Sequence, residues 1–319
     1  MEILLVGQSG VDGVGTYIND LAKVMSLNHN VWFYGINPFL KFNAKIKEET
    51  SIVPGKYDVA FLNYFKVFPE IDCPKVYHAH LAKFEDGYIQ NIESVLKNDT
   101  NYKITFNSNF QRQQLIAMDI PNGIMTKLPN YINENVYKVM PSVTKIPGSI
   151  LLMCGIRENN KPIWKPMLRA MKRLPEYRLD IMGSLSDIVK DDFLEFVDSA
   201  RNGNINYLGS YVDQVEKVKI INKHELGVGV GRSAKEMILC GLPTLVYREG
   251  FAGWLTETNV VQLEKDNFTT RWFEEEDEGG KIGKIVQAIR NPEIYDRAVA
   301  ATKFGLVANF NKYETLMGI

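Results

Sequence analysis

Residues 231–247, Gly-Arg-Ser-Ala-Lys-Glu-Met-Ile-Leu-Cys-Gly-Leu-Pro-Thr-Leu-Val-Tyr, constrain this chain more than any other stretch. An alternation of glycine and valine, Gly227 to Gly231, leads into it. The spacing predicts a short amphipathic helix with Ser233 at its N-cap and Glu236 three residues on, the capping-box arrangement. Gly241 predicts the stop, Pro243 prevents resumption, and residues 244–247 read as a short buried strand. A helix that starts at the C-terminal edge of a parallel sheet presents free backbone N–H groups and a positive dipole end. A phosphate or the ribose of a nucleotide fits there. On spacing alone, the stretch is one β-turn-α-β unit of an ordinary α/β fold.

The same pattern begins twice. Residues 3–6 and 150–155 each read as a buried strand followed by a loop and a helix, and at 319 residues the chain has room for two such domains or one large one. Residues 141–148, Pro-Ser-Val-Thr-Lys-Ile-Pro-Gly, are short and rich in turn formers, and mark the boundary. The expectation is a domain over residues 1–145, a second over 146–299, and a C-terminal helical segment, about 300–319.

A net charge of −1 supplies no global field to recruit nucleic acid or an anionic membrane, though it leaves room for a local basic patch. Cys73, Cys154 and Cys240 are scattered, odd in number and without metal-ligand spacing, as expected of free thiols in a reducing compartment. The opening apolar run is too short for a signal peptide and no run approaches a membrane span, so the expectation is a soluble, cytoplasmic protein.

In the first half, a strand ending near Val6 runs into Gly7-Gln8-Ser9-Gly10-Val11-Asp12-Gly13-Val14-Gly15, with a helix predicted from about Thr16. The glycine spacing departs from G-x-G-x-x-G, and no acidic residue closes the strand at residues 31–34, which disfavours a nicotinamide dinucleotide. His78 and His80 sit near the end of another strand, at a spacing that puts both on one face. No third ligand is evident beside them, so no metal is expected. In the second half, Arg157 and Lys161 flank the start of a helix. An arginine fork and a lysine ammonium beside a helix N-terminus can neutralise a leaving diphosphate, although on spacing alone two solvated charges on a loop are the better reading. Residues 162–173 interleave basic and aromatic residues, as an amphipathic helix with its charges in water does; a patch for an anionic acceptor or membrane surface is the other reading. The acidic run at residues 274–278 reads as a solvated loop or helix start.

Glu236-Met237-Ile238-Leu239-Cys240-Gly241-Leu242-Pro243 resembles the E-A-M-A-C-G-x-P-V segment of the family 4 glycosyltransferases. Residues 248–256 resemble the G-x-x-G-W-[VL]-T segment of one branch, and residues 178–183, 206–210 and 127–133 are similar to further family segments in the same order. The resemblance implies an α/β chain of two Rossmann-like domains facing a central cleft (GT-B), with the last helix crossing back to the first domain. It implies a retaining, metal-independent transferase with no cofactor beyond a nucleotide diphospho-sugar donor of UDP or GDP type. The acceptor, whether glycan, lipid-linked or small molecule, is left open. By the same resemblance Arg157 and Lys161 hold the diphosphate, and Glu236 holds the ribose. Gly231, Arg232 and Ser233 approach the donor, while Gly13, Val14, Gly15 and His80, with Lys83 soon after, border the reacting sugar. The family has a second glutamate eight positions before Glu236, where this chain has Val228. A relative that binds a nucleotide sugar without transfer, an epimerase or a silent subunit, is therefore an alternative. Transfer to modified DNA bases is another, which the near-neutral charge disfavours.

Overall fold

The computed structural model describes residues 1–8, 13–36, 43–63, 65–79, 86–99, 101–199, 204–211 and 213–318. His80, Lys83 and Gly10 lie outside these residues. The chain divides into two compact α/β units, Met1–Asn133 with Phe304–Ile319, and Glu134–Lys303. Residues 134–148 fall within the second: the Asn222 side chain accepts from the Met140 N–H at 2.8 Å and donates to the Lys138 carbonyl at 3.0 Å.

In the first unit the elements are β1 (Glu2–Gln8), α1 (Gly13–Met25), β2 (Asn30–Ile36), β3 (Ile46–Glu49), β4 (Val59–Leu62), β5 (Lys75–Ala79), α2 (Asp86–Asn98), β6 (Tyr102–Phe106), α3 (Asn109–Ala117) and β7 (Met125–Lys127). The strands form one parallel sheet in the order β3-β2-β1-β4-β5-β6-β7. Side chains alternate across a strand, so an unbroken apolar run means a sheet covered on both faces. In β1, Ile3 and Leu5 pack with Tyr17, Ile18 and Leu21 of α1, whereas Leu4 and Val6 pack with Ile92, Val95 and Leu115 on the other face. Phe310, Tyr313 and Leu316 of the C-terminal helix join the α1 face, where the Tyr17 and Tyr313 hydroxyls lie 3.1 Å apart.

Helix α1 starts three residues before the sequence expectation. Gly13, Val14 and Gly15 form its first turn instead of a loop ahead of it. Gly7 of β1 lets α1 pack close against the strand: a Cβ there would lie 2.6 Å from Ile18 Cδ1.

His78 of β5 is fully buried, with Nδ1 2.6 Å from Thr105 Oγ1, Nε2 3.1 Å from Asn130 Oδ1, and its ring stacked on Tyr17 at 5.4 Å. Desolvation pushes its pKa down to about 4 from an ordinary 6.5. Among the described residues no group of histidine, cysteine, aspartate and glutamate has the arrangement of a metal site. His78 is therefore a neutral core histidine. Its folded pKa lies below its unfolded one, so its contribution to stability is complete above the unfolded value and is lost as the pH falls toward 4. Urea titrations of wild type and His78→Gln should diverge in slope across that window, the wild type losing up to about 3 kcal/mol more on acidification. Parallel pH profiles for the two proteins would remove the assignment.

The second unit holds β8 (Ser149–Met153), α4 (Lys161–Met171), β9 (Arg178–Met182), α5 (Lys190–Ser199), β10 (Ile205–Gly209), α6 (Gln214–Lys223), β11 (Leu226–Gly229), α7 (Gly231–Leu239), β12 (Thr244–Tyr247), β13 (Phe251–Trp254), α8 (Glu257–Lys265), α9 (Glu278–Arg290) and α10 (Arg297–Phe304, whose last residue counts with the first unit); α11 (Phe310–Met317) belongs to the first. Its sheet runs β10-β9-β8-β11-β12-β13, parallel except for β13 at the edge. Helix α4 buries Ile163, Trp164, Met167, Leu168 and Met171 in the core. Its cations are occupied: Lys165 and Arg169 each lie 5.6 Å from the Phe196 ring centre, and Arg169 pairs with Glu278 at 2.6 Å. The acidic run leads into α9: residues 274–276 precede the helix, Asp277 caps it, accepting from the Gly280 N–H at 2.6 Å, and Glu278 is its first residue. All three cysteines are free and buried, and desolvation pushes the Cys154 and Cys240 thiols up to about 12. No helix of the described residues is long and apolar enough to cross a membrane.

Candidate functional site

In the second sheet the chain leaves β8 toward β9 and β10 on one side, then returns to place β11 on the other. Ligands of open α/β sheets bind beyond the carboxyl ends of the strands at such a reversal. Met153 of β8 and Gly229 of β11 are paired there, and the residues chosen from sequence follow directly: Arg157 and Lys161 after β8, Gly231, Arg232 and Ser233 after β11.

The loop after β8 is tightly tied. Asn160 donates its side-chain amide to the Gly155 carbonyl at 2.7 Å, Trp164 Nε1 donates to the Arg157 carbonyl at 3.3 Å, and Arg248 donates to the Asn159 carbonyl at 3.0 Å. Arg157 is exposed and donates from Nη2 to Ser184 Oγ at 3.1 Å. Lys161 opens α4, with its ammonium 2.9 Å from Glu158 and 3.3 Å from Asp192. Hydrogen bonding to Glu158, and then Asp192, raises its pKa. Both carboxylates are more than half exposed, so these pairs are weak and exchangeable.

Helix α7 does not use the predicted cap. Its N-cap is Val230, extended at φ −132° and ψ 164°, and Ser233 falls within the first turn. One residue separates β11 from the helix, Gly231 takes φ +58°, and the Gly231 N–H donates to the Phe268 carbonyl at 3.0 Å. Valine has no side-chain acceptor for the first-turn N–H groups, so the helix end is left without a side-chain cap at the strand edge. The predicted stop forms: Gly241 at φ +78° donates to the Ile238 carbonyl at 2.9 Å and Leu242 donates to that of Met237 at 3.1 Å, a Schellman arrangement.

Val228 is wholly buried in β11 between Leu152 and Leu245. A side chain there faces the core and not the strand end. Spacing located the family's first glutamate at this position, but β11 runs into α7 with no loop on which such a residue could stand.

Glu236 is 1% exposed. Lys217 of α6 reaches one carboxylate oxygen at 2.6 Å and Arg232 Nε the other at 2.7 Å. Burial opposes its ionisation, yet the Lys217 and Arg232 charges and the hydrogen bond from Lys217 hold its pKa below the usual carboxylate value. The Tyr137 ring lies 5.6 Å from the Lys217 ammonium and 5.9 Å from the Arg232 guanidinium. Lys217, Tyr137 and Ser184 were invisible to sequence reasoning, since each meets its partner only through the fold. The single hint was Gly183 ending a strand, immediately before Ser184.

In the first unit the equivalent reversal falls between β1 and β4, where Gly13, Val14 and Gly15 open α1.

No family model and no curated protein matches the chain. Solved structures do. HepE of Anabaena, in complex with UDP and glucose, is 16% identical over 100% of both chains with a TM-score of 0.64. Sucrose-phosphate synthase of Thermosynechococcus elongatus is 12% identical over 99% of each chain at 0.69. AviGT4, a glycosyltransferase involved in avilamycin A biosynthesis, is 12% identical over 99% of this chain and 97% of its own at 0.68. The chain has the GT-B fold of these glycosyltransferases. The GT-B likeness runs the whole length of the chain, so both sheets and the C-terminal helix on the first are part of it.

Proposed function

We propose that this chain is a glycosyltransferase taking a nucleotide diphospho-sugar, of UDP type first and GDP type second. The observation that carries the reading is the α7 start. A helix without a side-chain cap begins one residue beyond the strand at the sheet reversal, with Arg157 and Lys161 at the neighbouring strand end. Such an end binds phosphate through backbone N–H groups and its dipole. HepE supports the choice of base, since its structures hold UDP, with glucose or as UDP-glucose.

In this reading Arg157 and Lys161 neutralise the departing diphosphate, and Lys161 exchanges its exposed carboxylate partners for phosphate. Gly231, Arg232 and Ser233 line the backbone cradle. Glu236 carries the ribose in the resembled family; here its engagement with Lys217 and Arg232 makes it first the anchor of the α7 turn. Gly13, Val14, Gly15 and His80 are proposed to border the transferred sugar and acceptor. Transfer with retention and without a metal is part of the proposal, with leaving-group stabilisation supplying most of the rate. The core position of Val228 favours one second reading, a nucleotide-sugar binder that does not transfer.

A thermal-shift screen with UDP, GDP, ADP, CMP and their sugar conjugates, with and without Mg²⁺, tests both. One diphosphate at a hundredfold excess over its Kd should stabilise the protein by about 2.7 kcal/mol. No shift with any nucleotide overturns the proposal. A shift without transfer to any acceptor, and without release of sugar to water, selects the second reading.

A further inference from the structure

Arg157 is an exposed arginine with an exact task in the proposed chemistry, and an unrestrained arginine carries about 2 kcal/mol of rotamer entropy. Three features restrain it. Ser184 Oγ, on the loop after β9, accepts from Arg157 Nη2 at 3.1 Å. Gly155 leaves room beneath the side chain: a Cβ there would lie 3.2 Å from Arg157 Nε, 3.6 Å from its Cδ and 3.4 Å from Ser184 Oγ. The two loops are zipped together, the Ile156 N–H donating to the Ser184 carbonyl at 2.7 Å and the Ser186 N–H to the Ile156 carbonyl at 2.9 Å.

The glycine before Ser184 makes the zip possible. Gly183 sits at φ +158°, and a Cβ there would lie 1.9 Å from the Cys154 carbonyl oxygen. Backbone therefore comes against backbone at the ends of β8 and β9, and Ser184 is delivered beside the arginine that follows β8.

We propose that Ser184 is a positioning residue for Arg157. With Gly155 as the floor, it holds the guanidinium at the sheet reversal before the donor arrives. Ser184 acts through Arg157, lowering the ordering cost of binding the diphosphate. This inference rests on the diphosphate role of Arg157 proposed above.

The test is a double-mutant cycle read by calorimetric titration with UDP, and with uridine as the ligand lacking phosphates. Ser184→Ala should weaken UDP binding about fivefold to tenfold and leave uridine binding unchanged. In an Arg157→Ala background the same change should have no effect on UDP. Gly155→Ala, which crowds the arginine while leaving its chemistry intact, should reproduce the Ser184→Ala loss, and the two should not add. A loss that persists in the Arg157→Ala background, an equal loss for uridine, or no loss at all overturns the positioning role. If Arg157→Ala itself binds UDP like the wild type, the diphosphate assignment falls, and this inference with it.

Discussion

Replacing Glu236 with alanine is expected to cost about 3–5 kcal/mol of stability, the penalty for leaving buried cations without their carboxylate. Lys217 and Arg232 are 18% and 10% exposed, and each bonds one of the Glu236 oxygens, at 2.6 and 2.7 Å. Without the carboxylate both charges stay largely desolvated on neighbouring helices. Glu236→Gln keeps the shape and one acceptor but not the charge, so its loss should fall between. Denaturant titration of the folded protein without nucleotide measures this directly. A Glu236→Ala protein as stable as the wild type would show that the ion pairs contribute nothing and return the residue to a purely ribose-facing role. The stability measurement has to accompany any binding assay, because a lost α7 anchor and a lost ribose contact both lower nucleotide affinity.

Arg157→Ala should reduce turnover about a hundredfold or more, the usual loss on removing one group that stabilises developing charge. The change should fall more on kcat than on KM, since in the proposed transfer the charge on the diphosphate grows as the glycosidic bond breaks. Stability should hardly move. Arg157 is exposed, and among the described residues its one side-chain hydrogen bond goes to Ser184. Steady-state kinetics with the donor identified by thermal shift provide the readout. A folded Arg157→Ala protein with unchanged kcat would take the arginine out of the reaction and leave Lys161 and the α7 backbone to neutralise the diphosphate.

Much of the second unit was legible locally. Apolar runs of strand length, bounded by turn formers and too short for helices, mark β8 and β12, while β9, Arg-Leu-Asp-Ile-Met, was read from its likeness to a family segment. Gly241 and Pro243 mark the end of α7 because only glycine takes the left-handed cap cheaply and proline cannot continue a helix. Arg157, Lys161 and the residues at 231–233 were chosen by resemblance, since local spacing alone favours solvated charges on a loop, and only the sheet order brings the ends of β8 and β11 together. The start of α7 was misplaced by three residues, because Ser233 has capping chemistry while the actual cap, Val230, is set by the length of β11 and the Phe268 carbonyl.

By itself the sequence determined that this is an α/β chain with a helix start poised after a glycine-valine strand, since hydrophobic period and turn chemistry act over a few residues. Only the tertiary structure decided that Val228 belongs to the core, that Glu236 is held by Lys217 from another helix, and that Ser184 meets Arg157 across 27 positions of sequence. Those contacts join residues on different elements, and a partner's identity is written in the packing of the sheet and not in the spacing along the chain.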